Sequence, residues 1–406
     1  MDNKVIKKLF EDTRQRSLEL IKNLRPEDTC IQSMEDASPI KWHLAHTSWF
    51  FEEFVIKKVK SNFKSPDPRF SYLFNSYYVQ AGPRFTRSQR GLISKPDLTE
   101  VLNYRKIVNE ILIELIEDQN TPLDIIELGC HHEMQHQELM LTDLLHAFSF
   151  NPLRPKYIEK QMTANEKINE TWHDYIGGMK KVGNQGHTFC YDCEQPEHQV
   201  WIQPFQISNQ LVTNGDWIEF INAGGYQNPN LWLMDGFAEC EKQKWNAPLY
   251  WWKEDKTWYH YSLHGVKQVE ELAPVHHISF YEADAYAKWK GKRLPTEFEW
   301  EVVSNEIQSE NFLEHQNYLP FSKDNQKNMN QMWGHVWEWT ASSFSPYPGF
   351  KTEPGAVGEY NGKFMINQMV LKGGSCLTPQ DQIRKTYRNF FYPHQRWQMS
   401  GLRLAA

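Results

Sequence analysis

The chain has 406 residues, of which 40% are hydrophobic and 23% are charged, with a formal net charge of -7. This composition is that of an ordinary globular protein with room for about two or three domains. The negative charge and the absence of a long basic run argue against nucleic-acid binding. No stretch is apolar enough to span a membrane, and the start lacks a secretion signal. Six scattered cysteines favour reduced thiols and a cytoplasmic location.

Four helices are predicted in the first 150 residues, because apolar side chains recur there at helical spacing. Ser38 can cap the second helix, and Pro39 suits its first turn. Asp97 and Glu100 form a capping box that begins the third. One long connection joins these two helices, so the pattern predicts a four-helix bundle. The predicted helices cover residues 3–24, 38–56, 97–117 and 121–148.

The pattern changes in the second half of the chain. Short apolar runs separated by Gly, Asn, Pro and Trp replace the long helical stretches, and only two further helices are expected, over residues 214–223 and 279–289. This mixture predicts an α+β domain with short strands. The predicted organisation is a helical domain over residues 1–150, a linker over 151–176 and a second domain over 177–406.

The strongest chemical signal is a pair of histidines on the fourth predicted helix. His132 and His136 are four residues apart, so their imidazoles leave the same helix face. Two neutral imidazoles in this arrangement can chelate a divalent metal, although a bare pair is more often solvated or packed in a core. A metal site that is open for chemistry usually has three protein ligands, and His46 on the second helix is the best further candidate.

The same residues match the zinc-peptidase motif His-Glu-x-x-His, in which Glu133 would act as the general base. The extended form of that motif requires a glycine where Leu139 stands and a histidine where Thr142 stands. A zinc peptidase is therefore a remote alternative.

Further motifs accompany the histidines. Leu44-Ala45-His46, followed by His132-x-x-x-His136-x-Glu138, resembles the DinB-like helical domain of ergothioneine-biosynthetic sulfoxide synthases, the EgtB-type hercynine oxygenases. The second half resembles their formylglycine-generating-enzyme-type domain, which is related to the C-type lectin fold. The motifs that carry this second resemblance include Gly224-Gly225-Tyr226, Trp289-x-Gly291-Lys-Arg-Leu-Pro-Thr-Glu297 and Gly334-x-Val-Trp-Glu-Trp-Thr340. The resemblance covers nearly the whole chain.

The resemblance implies an iron centre with His46, His132 and His136 as ligands. Three neutral imidazoles on one face of Fe(II) leave up to about three positions free for other ligands. The implied reaction is the O2-dependent joining of the sulfur of cysteine to the imidazole of hercynine (Nα-trimethylhistidine), with oxidation to a sulfoxide. Three histidines are also a zinc-hydrolase pattern, so the ligands by themselves do not choose the metal.

The resemblance also assigns roles in the long connection. Tyr77 and Tyr78 resemble the source of an active-site phenol, and adjacent residues in extended backbone face opposite ways, so only one is expected to face the metal. We expect that residue to be Tyr78. Three arginines in the same connection resemble those that hold the carboxylate of the thiol substrate, a task that suits the planar guanidinium fork. They are Arg84, Arg87 and Arg90; two of the three are expected to point inward, and the sequence leaves open which two.

Four further residues concern hercynine and the choice of thiol. The resemblance implies that Gln135 places the hercynine carboxylate through water, and that Asn389 and Phe390 line the trimethylammonium site, where an aromatic face suits a quaternary cation. Phe391 stands where the γ-glutamylcysteine-using branch has an Asp, so free cysteine is the expected thiol. A selenoneine-type or ovothiol-type synthase of the same superfamily is the alternative, and the oligomeric state is left open.

Overall fold

The computed structural model describes residues 2–118, 121–304, 307, 310–325 and 329–406. It divides the chain into two compact units. The first comprises Met1–Tyr157 together with Glu353–Tyr360, and the second comprises Ile158–Thr352 together with Asn361–Ala406. A short excursion from the second half of the sequence is thus part of the first unit.

The first unit contains the four predicted long helices. Asp2 accepts from the backbone N–H of Lys4 at the start of the first helix, and the predicted capping box of Asp97 and Glu100 starts the third. Pro39, with no side-chain cap, is the N-cap of the second helix, so the predicted cap at Ser38 is wrong. The long helices are α1 (Asn3–Ile21), α2 (Ile40–Phe51), α5 (Leu98–Ile116) and α6 (Leu123–Ser149).

Helix α2 is the central element of this unit. Each residue from Ile40 to Phe51 is buried, and α2 packs against both α5 and α6. A π-helical turn, Glu52–Ile56, and the short α3, Lys57–Val59, extend it. Polar side chains on a helix that is buried all round must find partners inside the protein. The histidines of α2 therefore need interaction partners inside the protein.

The long connection between α2 and α5 is ordered by local structure. It contains α4 (Phe70–Phe74) and two 3-10 turns, Val79–Ala81 and Arg87–Leu92. The indole Nε1 of Trp42 on α2 donates to the carbonyl of Leu73 at 3.0 Å. These contacts fix the loop that carries the predicted tyrosines and arginines.

The second unit mixes short helices with small sheets. Its largest sheet has the order β10-β9-β8-β11, in which β8 and β11 are parallel and the other pairs are antiparallel. Three smaller antiparallel sheets pair β1 with β4, β2 with β3, and β5 with β6 and β7. The strands are β1 (Trp172–Tyr175), β2 (Gly178–Val182), β3 (His198–Ile202), β4 (Phe205–Ser208), β5 (Trp251–Glu254), β6 (Thr257–Ser262), β7 (Gly265–Gln268), β8 (Trp337–Ser343), β9 (Met369–Lys372), β10 (Asn389–Phe391) and β11 (Ser400–Gly401).

The helices of the second unit include the two that were predicted, α7 (Asn214–Asn222) and α9 (Phe280–Trp289). The expectation of only two was wrong, because α8 (Met234–Gln243) and α10 (Glu297–Val303) are also present. Helix α10 has seven residues, too few to display an apolar period, and its signal is the capping box of Thr296 and Glu299. No described helix combines the length and the hydropathy that a bilayer crossing requires.

Candidate metal centre

Three imidazoles converge inside the first unit. His46 lies on α2, and His132 and His136 lie one turn apart on α6. The Nε2 atom of His132 is 3.2 Å from that of His46 and 3.1 Å from that of His136. Two nitrogens that each lie ~2.1 Å from one ion at right angles are ~3.0 Å apart, so these atoms already have the spacing of ligands that share an ion. The structure brings the three predicted ligands together.

The surroundings keep these imidazoles neutral. Burial lowers the pKa of His132 to about 4, against an ordinary value of 6.5. Burial, and then the neighbouring His132, hold the pKa values of His46 and His136 well below the same value. Neutral imidazole is the form that binds a metal. With the hydrogen of each ring on Nδ1, three lone pairs would meet in this buried site and repel one another, and a cation there would stabilise the arrangement.

Aromatic neighbours and one hydrogen bond orient His46. Its ring is stacked between Trp42, at a centroid distance of 4.6 Å, and Trp49, at 5.5 Å. Its Nδ1 lies 2.6 Å from the carbonyl oxygen of Phe74. A carbonyl oxygen can only accept, so Nδ1 carries the hydrogen and Nε2 presents its lone pair to the other imidazoles.

His136 is held by hydrogen bonds between side chains and not by a backbone carbonyl. Its Nδ1 lies 2.7 Å from Nδ1 of His43, and Nε2 of His43 lies 3.2 Å from Oδ2 of Asp143. Sequence reasoning did not single out either partner. The available signal was spacing, because His43 precedes His46 by one turn on α2, and Asp143 follows His136 by two turns on α6.

Glu133 belongs to the other side of α6. Its Oε2 accepts from Arg14 at 2.7 Å, and its Oε1 accepts from Arg105 at 2.8 Å and from the hydroxyl of Ser17 at 2.5 Å. Burial alone would raise the pKa of Glu133, but the two guanidinium groups lower it to about 2. A carboxylate engaged in this way by two arginines is not placed as the general base that a zinc peptidase needs.

The predicted tyrosines lie in the loop that follows α4. The hydroxyl of Tyr77 donates to the hydroxyl of Tyr78 at 3.1 Å, and Tyr78 is 2% exposed. The ring of Tyr78 contacts Trp49 at 5.7 Å and Phe50 at 6.3 Å, and these rings contact His46 and His132 respectively. Tyr78 is therefore one aromatic ring away from two of the three imidazoles. Burial raises the pKa of its phenol.

A segment from the second half of the sequence holds this loop. Glu359 accepts from the backbone N–H groups of Val79, at 2.9 Å, and Gln80, at 3.0 Å. The ring of Tyr360 stacks on that of Tyr77 at 5.5 Å. The excursion that joins the first unit thus fixes the backbone next to the buried phenol.

The three predicted arginines have different environments. Arg90 is buried and stacks over the indole of Trp42 at 3.4 Å, and it donates to the hydroxyl of Ser38 at 2.9 Å. Arg84 and Arg87 are exposed and donate to backbone carbonyls. Of the three, Arg90 is the one that points into the helical unit.

The remaining predicted residues divide between the two units. Gln135 is half-buried on α6, next to His136. Asn389, Phe390 and Phe391 form β10 in the second unit, and each is partly exposed. Phe390 stacks on Phe344 at 4.2 Å, and Phe391 meets the edge of Trp397 at 5.8 Å.

Both halves of the chain match known protein families. Residues 9–140 match the DinB superfamily, and residues 175–406 match the Sulfatase-modifying factor enzyme 1-like domain. The chain is 33% identical to a hercynine oxygenase of Mycolicibacterium smegmatis over 91% of each protein. It is 28% identical to a hercynine oxygenase of Mycobacterium tuberculosis, with coverage of 97% of this chain and 96% of the relative. The chain therefore belongs to the hercynine oxygenase family of EgtB-type sulfoxide synthases.

Proposed function

We propose that the protein is a non-haem Fe(II), O2-dependent sulfoxide synthase that joins the sulfur of free cysteine to the imidazole of hercynine. The observation that carries the proposal is the cluster of His46, His132 and His136, whose neutral imidazoles converge in a member of this family. Three nitrogen ligands on one side of an ion leave positions open for other ligands. The bound ion would supply the redox chemistry that O2 activation requires.

The proposed reaction is balanced without a further reductant. The S–H bond of cysteine and one C–H bond of the hercynine imidazole break, and a C–S bond and an S–O bond form. One oxygen atom of O2 enters the sulfoxide, and the other leaves as water with both hydrogens. The thiol and the imidazole carbon together supply the electrons that reduce O2.

Arg90 is suited to hold the carboxylate of cysteine. Among the described residues no carboxylate lies within ion-pair distance of Arg90, and its Nε has no hydrogen-bond partner. Burial lowers the pKa of Arg90, which means that the charged guanidinium is costly without an anion. An incoming carboxylate would satisfy both the charge and the free donor, since guanidinium and carboxylate match in shape.

Tyr78 is suited to deliver a proton during the reaction. Its hydroxyl oxygen accepts from Tyr77, and among the described residues its own hydrogen has no acceptor. A buried phenol with a raised pKa keeps its proton at neutral pH, so the O–H is available as a donor to a bound reactant. The hydrogen bond from Tyr77 would stabilise the phenolate that remains.

For hercynine, the proposed contacts are Gln135 to the carboxylate, and Asn389 and Phe390 to the trimethylammonium group. The partly exposed ring of Phe390 supports this assignment, because a quaternary cation cannot donate hydrogen bonds and favours an aromatic face. Phe391 supports cysteine as the thiol, because a phenyl ring offers no charge to the ammonium of a γ-glutamyl group.

The proposal is tested by turnover. Protein loaded anaerobically with Fe(II) is mixed with hercynine and O2, together with cysteine or γ-glutamylcysteine, and the products are identified by mass spectrometry; protein loaded with Zn(II) is the matched control. The expected product is the hercynine–cysteine sulfoxide, formed by the iron form alone. Absence of any hercynine–thiol adduct would refute the proposed activity. Equal use of the two thiols would refute only the role given to Phe391.

A further inference from the structure

We propose that His43 and Asp143 are positioning residues for the metal centre, which hold His136 in the one tautomer and ring orientation that leave its Nε2 free for the ion. The proposal rests on the proposed function, because it requires that the three-histidine cluster binds a metal. The present proposal goes beyond that function, because it gives a role to two residues that contact neither the ion nor a substrate.

For a neutral His43, the hydrogen bonds allow one consistent assignment of protons. A carboxylate can only accept, so Nε2 of His43, at 3.2 Å from Asp143, carries a hydrogen. The other nitrogen of a neutral His43 is then an acceptor, and its partner at 2.7 Å, Nδ1 of His136, is the donor. With its hydrogen on Nδ1, His136 directs the lone pair of Nε2 toward His132.

Burial makes this chain of contacts rigid. His43 is 2% exposed and Asp143 is 5% exposed, so water does not readily replace either partner. Oδ2 of Asp143 also accepts from the backbone N–H of Ser38 at 2.8 Å, which fixes the carboxylate at the start of α2. The ring of His43 meets the edge of Trp42 at 5.7 Å. Neither the ring of His43 nor that of His136 can turn without breaking one of these hydrogen bonds.

The same network reaches the proposed substrate arginine. Ser38 donates its backbone N–H to Asp143 and accepts from Arg90 through its hydroxyl at 2.9 Å. The positions of His136 and Arg90 are thus set by one short connected group. This group therefore fixes the position of His136, a ligand of the ion, relative to Arg90, which would hold the thiol substrate.

The three metal ligands are supported unequally. Nδ1 of His46 is bonded to a backbone carbonyl and Nδ1 of His136 to His43, whereas Nδ1 of His132 has no partner among the described residues. Supporting hydrogen bonds of this kind typically change metal affinity or activity by about 10–100-fold when they are removed. Since His136 takes its support from a side chain, mutation can test that support directly.

The test measures Fe(II) affinity by anaerobic competition with a chelator, together with the ligand-field spectrum of the Co(II)-substituted protein. His43→Leu removes the acceptor, whereas His43→Asn places an amide oxygen near the position of Nδ1. Asp143→Asn keeps an oxygen toward Ser38 and His43 but removes the charge. His187→Leu is the matched control, because His187 is an exposed histidine of the second unit.

We expect His43→Leu to weaken Fe(II) binding by about 10–100-fold and to alter the Co(II) spectrum, with His43→Asn restoring much of both. Asp143→Asn should give an intermediate loss, and His187→Leu none. Unchanged affinity in His43→Leu, or equal losses in the Leu and Asn variants, would overturn the proposal. If His43→Leu does not fold, unchanged affinity in Asp143→Asn overturns it. Failure of the wild-type protein to bind Fe(II) would instead refute the proposed function.

Discussion

The two faces of α6 carry polar clusters of opposite character. On one face Glu133 is engaged at both carboxylate oxygens by Arg14, Arg105 and Ser17. On the other, Nε2 of His132 lies 3.2 Å from that of His46 and 3.1 Å from that of His136, and Nδ1 of His132 has no partner among the described residues. We call the side of α6 that carries Glu133 the closed face, because protein groups bind both oxygens of its carboxylate. We call the side that carries His132 and His136 the open face, because a cation would be bound there by three imidazole nitrogens.

This difference separates a structural cluster from a functional one on a single helix. Both clusters are buried and both depend on residues within one five-residue motif, so burial and motif do not distinguish them. What distinguishes them is the group at the centre: the carboxylate of Glu133 is bound by protein donors, whereas the Nε2 atoms of three imidazoles lie at the spacing of ligands that share an ion.

The largest effect is expected from removing a ligand on the open face. His132→Gln should abolish stoichiometric Fe(II) binding and reduce sulfoxide formation to background. The reason is that only two of the three imidazoles remain, too few to hold the ion. Metal analysis after anaerobic loading, and product analysis by mass spectrometry, measure the two effects. A variant that keeps one tightly bound iron and its activity would show that the open face is not the metal centre.

On the closed face the expected loss is in stability. Glu133→Ala should lower the free energy of unfolding by about 3–5 kcal/mol, because it leaves two buried guanidinium groups without their carboxylate. Denaturation in urea measures this loss, and Asp124→Ala, an exposed position on α6, is the control. The folded fraction of Glu133→Ala should still bind Fe(II). Loss of iron with unchanged stability would mean that the two faces had been assigned wrongly.

The same carboxylate gives a pH dependence with a defined sign. The pKa of Glu133 is lowered from 4.5 to about 2 in the folded protein. Its contribution to stability is therefore fully present above the unfolded value of 4.5 and is lost as the pH falls toward 2. Glu133→Gln should unfold with a weaker dependence on pH in this window. An identical acid slope in both proteins would contradict the ion pairing described here.

Tyr78→Phe tests the phenol beside the open face. The shape of the ring is kept and its proton is lost, so sulfoxide formation should fall by about 100-fold, the scale of general acid catalysis, while Fe(II) binding is unchanged. More cysteine should then be oxidised to the sulfinate without forming a C–S bond. Tyr77→Phe removes only the supporting hydrogen bond and should have a smaller effect. Wild-type product ratios in both variants would remove the loop from the reaction.

The smallest effect concerns the thiol substrate. Arg90→Leu should raise the KM for cysteine by about 10–100-fold, since a hydrogen bond to a charged group contributes about 1.5–3 kcal/mol. Arg84→Leu is the matched control, because Arg84 is exposed and bonds to a backbone carbonyl. Steady-state kinetics at saturating hercynine measure both variants. A larger effect at Arg84 than at Arg90 would reverse the assignment.

Local patterns in the sequence were sufficient to predict the long helices. The capping box at Asp97 and the apolar period of α6 act over a few residues, so they can be read without knowledge of the fold. The pairing of His46 with His132 joins residues far apart in sequence, and it was predicted from the position of both on interior helix faces and from the family resemblance.

Other parts of the site could not be predicted in this way. The orientation of Arg90 depends on its packing against Trp42, and the contact of Glu359 with the tyrosine loop crosses most of the chain. The partner of Glu133 is likewise set by tertiary packing, because Arg14 lies on α1. Contacts between distant segments leave no periodic signal in a single sequence. The support of His136 by His43 left only a weak one, the one-turn spacing of His43 and His46 on α2.

We propose that the open face of α6, together with α2, holds one Fe(II) through three imidazoles. X-ray absorption at the iron edge of the anaerobically loaded wild-type protein tests it most directly, because the fine structure reports the number and kind of ligands. The expected result is one iron per chain with imidazole scattering from His46, His132 and His136. An iron without imidazole ligands, or no bound iron, would contradict the proposed three-histidine iron site.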